Sequence, residues 1–139
     1  MIEDQSFGII PLKKDEMGGW QVLLLKQHNG HFWGFPKGHA ESLEPPKIAA
    51  QRELKEETNL YVVEYLDDEP FEDHYHFVED GQEIDKRVFY YPAQVAGDIT
   101  LQTDEIEICL WSPLNEAIML ATYSGVKKIC TLLKDRLES

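Results

Sequence analysis

Apolar residues in this chain come in short dense runs separated by polar turns, a pattern of strands more than of helices. Phe7, Ile9, Ile10 and Leu12 crowd the stretch from Ser6 to Leu12, and Val22-Leu23-Leu24-Leu25 fills the one from Trp20 to Lys26. Neither run alternates with polar residues, so each predicts a strand covered on both faces. Between them, Lys13 to Gly19 is charged and ends in Gly18-Gly19, which predicts a hairpin with a loose loop. Gln27 to Gly30 turns the chain into His31-Phe32-Trp33-Gly34-Phe35-Pro36-Lys37-Gly38-His39. Two glycines and a proline there predict a loop, and its histidines, tryptophan and lysine give that loop a binding character.

The period changes after Glu44. Pro45-Pro46 suits the first turn of a helix, where a missing N–H costs nothing, and Ala50 and Leu54 supply an inward side. Tyr61 to Leu66 alternates as a strand, and Asp67 to Pro70 breaks it. Phe71 to Val78 and Ile84 to Val95 flank Glu79-Asp80-Gly81-Gln82, a turn signal that predicts a second hairpin. Pro92 inside its second strand demands an edge or a bulge. Gly97 to Asp104 reads as loop and Ile106 to Trp111 as a last strand. Ser112-Pro113 then predicts a helix with Ser as N-cap and Pro at N1, running to about Ala121. Ser124 is placed to cap a final helix whose Val126, Ile129, Cys130, Leu133 and Leu137 form a stripe of period 3.6. Strands before and after a central helix, with helices closing the chain, predict an α/β fold in which a mixed sheet is sandwiched between helices.

Chemistry concentrates on the central helix. Arg52-Glu53-Leu54-Lys55-Glu56-Glu57 sets three carboxylates at i, i+3 and i+4, within a sector of about 100° on one helix face. Like charges so stacked repel by a few tenths of a kcal/mol per pair in water. Such a helix is either a solvated acidic face or a cage for a hard cation, and an all-oxygen donor set suits Mg²⁺.

The wider frame of this helix is specific. Gly38, five residues, Glu44, seven residues, then Arg52-Glu53-Leu54, Glu56-Glu57 and Asn59-Leu60 resembles the box of the Nudix hydrolases, which cleave nucleoside diphosphates linked to another moiety. One position departs: Asn59 stands where the family has glycine, and Asn tolerates the left-handed conformation that a helix end requires there. The preceding Trp33-Gly34-Phe35-Pro36-Lys37-Gly38-His39 is similar to the Trp-x-x-Pro-Lys-Gly-His of the family's asymmetric diadenosine tetraphosphate hydrolases. The resemblance covers nearly the whole chain and implies the Nudix fold. It also implies Mg²⁺-dependent hydrolysis of diadenosine tetraphosphate to ATP and AMP, with Mn²⁺ as a substitute ion.

The resemblance also distributes roles. Glu53, Glu56, Glu57 and the backbone carbonyl of Lys37 become metal ligands, with Arg52 orienting the carboxylates and Glu44 behind them. Trp33, Lys37 and His39 face substrate: Lys37 is a point charge for one phosphate, and His39 can donate a hydrogen bond to another. The family often has a histidine directly before this tryptophan, whereas here Phe32 holds that place and His31 lies one residue earlier. Tyr75 and Tyr123 fall where these hydrolases put adenine-stacking aromatics. Lys86 falls at their phosphate-binding lysine, with Arg87 competing for that role. Glu105 falls near the family's general base, for which Glu53 or Glu57 is the alternative.

Composition narrows the setting. At 139 residues there is room for one domain and its core, residues 1–139. The net charge of −13 argues against a stable grip on nucleic acid, which needs basic surface. An RNA 5′-pyrophosphohydrolase or an inositol pyrophosphatase calls for a more basic groove than this, and a nucleotide-binding module without catalysis calls for missing box carboxylates. Both stay as alternatives. Cys109 and Cys130 lie in apolar contexts without metal-ligand spacing and read as reduced core residues. No apolar run approaches membrane length, and no basic segment leads into an apolar one at the N-terminus, so the expected location is the cytosol.

Overall fold

The computed structural model of the protein describes residues 1–138. One mixed sheet of eight strands runs through it. The elements follow in the order β1 (Ile2–Lys14), β2 (Trp20–Gln27), β3 (Trp33–Gly34), β4 (Lys37–Gly38), α1 (Pro46–Thr58), β5 (Tyr61–Tyr65), β6 (Phe71–Glu79), β7 (Gln82–Ala96), β8 (Ile106–Pro113), α2 (Leu114–Leu120) and α3 (Ser124–Leu137). The spine of the sheet is β3-β2-β1-β7-β5, with β4 on β1, β6 on β7 and β8 on β2. β1 and β7 pair in parallel from Ile2 opposite Ile84 to Leu12 opposite Gln94, and every other ladder is antiparallel.

The continuous apolar runs are explained by helices on both faces. Successive side chains of a strand point to opposite sides. Ile10, Leu12, Val22 and Leu24 enter one core with Val126, Ile129 and Leu133 of α3. Ile9, Leu23 and Leu25 enter a second core with Ala50 and Leu54 of α1. The expected α/β/α sandwich is therefore present. Both hairpins are present as well, β1 with β2 and β6 with β7. The second closes through Asp80 (φ 52°) and Gly81 (φ 78°). Two consecutive positive φ values are what a two-residue hairpin loop of matching twist requires.

Four expectations are corrected. Pro92 is on neither an edge strand nor a bulge, because β7 lies between β1 and the β5/β6 layer. Its carbonyl accepts from Leu66 N at 2.9 Å, so its absent N–H faces that same outer side. There β6 has ended its pairing at Tyr90 and β5 begins at Ala93, so no partner is waiting for the missing donor. Ser112 does not cap α2: the ladder with β2 holds the chain extended to Pro113, which is itself the N-cap, and Ser112 Oγ donates to the Pro113 carbonyl at 2.9 Å. Ser124 is the first residue of α3 rather than its cap, a place taken by Tyr123. Within the loop His31–His39, two two-residue strands, β3 and β4, attach the segment to β2 and β1. No helix among the described residues is long and apolar enough to cross a membrane.

Candidate active site

Helix α1 begins on Pro46 and stops at Asn59, whose φ of 69° is left-handed and whose N–H bonds the Lys55 carbonyl at 2.9 Å. Between these ends the acidic face is graded in depth. Glu57 is buried (3% exposed), the Glu53 side chain is 17% exposed, and that of Glu56 is 53% exposed. Arg52 lies beside them rather than among them. Its guanidinium grips Glu44 through two bonds of 2.8 and 2.9 Å, reaches Glu53 at 3.0 Å and Glu56 at 3.2 Å, and donates to the His39 carbonyl at 2.9 Å. Glu44 is further held by the Glu41 N–H. One cation thus ties the start of the helix segment, the loop and two box carboxylates together.

Glu57 is the electrostatic anomaly. Burial pushes its carboxyl up to about 9, and the negative charges of Glu53 and Glu105 add to the effect, with Lys37 opposing them. Burial likewise raises Glu53, against the pull of Arg52. Glu57 Oε2 is buried without a hydrogen-bond partner among the described residues. A buried polar atom left unpaired costs about 1–3 kcal/mol, more if charged. Gly38 belongs to the same place: a Cβ on it would fall within the Glu53 carboxylate, so any larger residue would displace that carboxylate from its present position. Oxygen donors, surplus negative charge and an orphaned buried carboxylate oxygen fit a divalent hard cation. Glu53, Glu56 and Glu57 are the side chains that would hold it, with the Lys37–Gly38 backbone alongside Glu53.

The remaining candidates divide into those that gather at this site and those that do not. Lys37 is packed in a partly buried position near Glu57, Asp4 and Asp73. Burial holds its ammonium below the usual lysine range, with the Lys86 charge acting in the same direction. His39 Nε2 meets Asp4 Oδ1 at 2.9 Å. Lys86 is 5% exposed, and its Nζ donates to Asp4 Oδ2 at 2.7 Å and Ser6 Oγ at 2.6 Å, with His39 Nε2 3.4 Å away. Arg87 points to the opposite face of the sheet and binds Glu72 at 3.0 Å. Of the two competing cations, Lys86 is the one beside His39. Glu105 is exposed, its carbonyl accepts from His28 N at 2.9 Å, and its charge bears on Glu57. His31, at φ 53°, swings to β8 and pairs with Glu107 at 3.1 Å, outside this cluster.

A cavity of about 990 Å³ opens next to Lys37. Trp33, Tyr75, Phe77, Tyr90 and Tyr123 line it, together with Phe32, whose ring packs tilted at 52° against Tyr123 with ring centres 5.4 Å apart. The backbone N–H of Trp33 donates to Thr122 Oγ1 at 2.8 Å, fixing this wall to the loop that carries Tyr123. Tyr75 and Tyr123 keep 39% and 57% of their surface exposed. Phe32, Phe77 and Asp73 are lining residues that sequence reasoning passed over. The strand FEDHYHFV contained the signal for two of them, since Asp73, Tyr75 and Phe77 share one face at i, i+2 and i+4.

Residues 4–131 match the NUDIX domain family. The chain belongs to that family. It is 32% identical over 112 residues to the asymmetrical bis(5′-nucleosyl)-tetraphosphatase of Sus scrofa, a match covering 78% of this Nudix chain and 75% of the pig protein. A shorter match, 45% identical over 58 residues, spans 37% of the chain and only 34% of a protein from Invertebrate iridescent virus 3. In fold, the chain is similar to the Ap4A hydrolase of C. elegans in a binary complex. The TM-score is 0.73, with 24% identity over 96% of each chain.

Proposed function

We propose that this Nudix hydrolase cleaves diadenosine tetraphosphate asymmetrically, to ATP and AMP, with Mg²⁺ as its working ion. The observation that carries the reading is the junction at Lys37, where the carboxylate cluster of α1 meets an aromatic cavity large enough for a nucleoside. The similarity to the pig tetraphosphatase supports it. Glu53, Glu56 and Glu57 would hold the ion, whose chemistry when bound would be to offset phosphate charge and to acidify the attacking water.

The chain's own groups do the rest. Lys37 Nζ binds a phosphate oxygen, a role for which a desolvated ammonium is well suited because its charge is poorly screened. His39 lies within reach of the same chain of phosphates, with Asp4 fixing its ring. Lys86 acts through Asp4 and Ser6, holding that pair in register. Glu105, outside the helix and exposed, accepts the proton of the attacking water. The water oxygen bonds to phosphorus, the bridging P–O bond breaks, and the freed phosphate oxygen carries the leaving nucleotide's charge. Tyr75 and Tyr123 stack an adenine, and Phe32 backs the second ring. Arg52 touches none of the reacting atoms and keeps Glu53 and Glu56 oriented.

Turnover of a panel of dinucleoside polyphosphates, capped and triphosphorylated RNA and inositol pyrophosphates in Mg²⁺ tests this directly. Stacking is worth about 1–3 kcal/mol per base, so Tyr75→Ala or Tyr123→Ala should raise KM for diadenosine tetraphosphate by roughly fivefold to a hundredfold. The Phe variants retain the ring and should not. Unchanged KM in both folded Ala variants, or equal turnover of substrates lacking adenosine, would sink the assignment.

A further inference from the structure

The β6–β7 hairpin carries a second cluster of donors that the hydrolytic site does not use. His74 and His76 stand two residues apart on β6, and Asp85 on β7 lies directly across from His76. Alternation along the strands puts these three on one face of the hairpin, while Lys86 and Tyr75, their chain neighbours, turn to the other; His74 and His76 also border the aromatic cavity. Both imidazoles aim their Nε2 at the same carboxylate oxygen, Asp85 Oδ1: His76 at 3.0 Å, and His74 in a short contact. The donor atoms of all three lie within 4.8 Å of one another, and the two rings are 5.2 Å apart.

We propose that His74 Nε2, His76 Nε2 and the Asp85 carboxylate form a binding site for one borderline divalent transition-metal ion, Zn²⁺ being the fit. Two imidazoles and a carboxylate are the donor set such ions select, whereas Mg²⁺ prefers oxygen alone. Ligand atoms around tetrahedral Zn²⁺ at about 2.0–2.1 Å are roughly 3.3 Å apart, so donors that lie within 4.8 Å of one another close by at most about 1.5 Å to reach the ion. The frame is stiff enough to hold it. β7 is paired on both sides, to β1 and to β6, and Asp85 keeps only 12% of its side chain exposed. Arg87, on the same face, is engaged by Glu72 at 3.0 Å, and its charge also acts on Asp85. Three protein donors leave a position for water and an open approach, since the His76 side chain is 61% exposed. An ion bound here cross-links the hairpin whose opposite face presents Asp73, Tyr75 and Phe77 to the cavity.

The test uses the full chain in millimolar Mg²⁺, which keeps the oxygen site filled, and titrates Zn²⁺ against a chromophoric chelator. One Zn²⁺ per chain should bind to the wild type and equally to Glu57→Gln. His76→Ala and Asp85→Asn should each weaken it by at least about tenfold, the loss that even partners behind a metal ligand produce. Substituting Co²⁺ gives an independent readout, since its visible absorption should report nitrogen ligation in the wild type and lose it in a His74→Ala/His76→Ala double variant. Both histidines are exposed groups on β6, and circular dichroism checks that the fold persists. Zn²⁺ affinity indifferent to His76 and Asp85, absent under Mg²⁺, or lost in Glu57→Gln overturns the proposal.

Discussion

Replacing Glu57 by Gln should produce two effects of opposite sign, and the pair is diagnostic of the buried carboxylate. In metal-free protein the Glu57 carboxyl is raised from the ordinary 4.5 to about 9, by burial first and then by Glu53 and Glu105. A carboxyl raised on folding keeps its proton where the unfolded chain has lost it. Its contribution is therefore complete below about pH 4.5 and fades as pH rises toward about 9. Within that window the wild type should lose about 1.4 kcal/mol of stability per pH unit, so about 3 kcal/mol between roughly pH 5 and pH 7. Gln cannot titrate, and the variant's stability over the same interval should be flat in comparison. Urea unfolding in chelator at several pH values measures both curves. The wild type should also gain stability when Mg²⁺ is added, because the ion replaces the missing positive charge, and the variant should gain much less. Turnover in Mg²⁺ should meanwhile fall by orders of magnitude. Parallel pH curves for the two proteins would refute the burial argument. An active, folded variant would remove Glu57 from the metal set.

Two further outcomes follow from the geometry. Gly38→Ala drives a Cβ into the Glu53 carboxylate, so turnover should fall by at least about tenfold while thermal unfolding shows a folded protein, the misplacement of a ligand being costlier to rate than to fold; normal activity would show that α1 and β4 separate easily. Glu105→Gln should lower kcat by about a hundredfold or more with KM little changed, as expected for loss of a general base, and near-normal kcat would hand that role to Glu53 or Glu57.

The parts of the fold legible in the sequence were those whose determinants are local. A dense apolar run, the Asp80-Gly81 turn and the stripe on α3 each act over a few residues. The parallel ladder of β1 and β7 has no such signature, because its partners are as far apart as Asp4 and Lys86, separated by 82 residues. That ladder gives Lys86, the phosphate-binding lysine implied by resemblance, partners that no local rule could show. Parallel pairing sets Asp4 beside Lys86 and buries the ammonium between Asp4 and Ser6. The two serine caps failed for a related reason. Local rules start a helix at the first Ser-Pro, but the β2 ladder, with Gln21 opposite Pro113, keeps the backbone extended past Ser112.

The acidic helix shows where a sequence argument reaches its limit and what completes it. Spacing placed Glu53, Glu56 and Glu57 on one face but left both a solvated stripe and a cation cage consistent with it. A solvated stripe would expose all three alike, as water is its only counter-charge. Here exposure falls from Glu56 through Glu53 to the buried Glu57. The nearest positive group is spoken for, since Arg52 spends its two best bonds on Glu44. Lys37 does approach Glu57, yet burial weakens its own hold on a proton. Desolvating a carboxylate costs several kcal/mol unless an opposite charge compensates it. The chain thus carries negative charge inward along α1 faster than it supplies positive charge, and leaves Glu57 Oε2 with no partner among the described residues. A helix arranged in that way is destabilised when empty and relieved by a divalent cation, which is the direction of change that the Glu57→Gln and Mg²⁺ titrations measure.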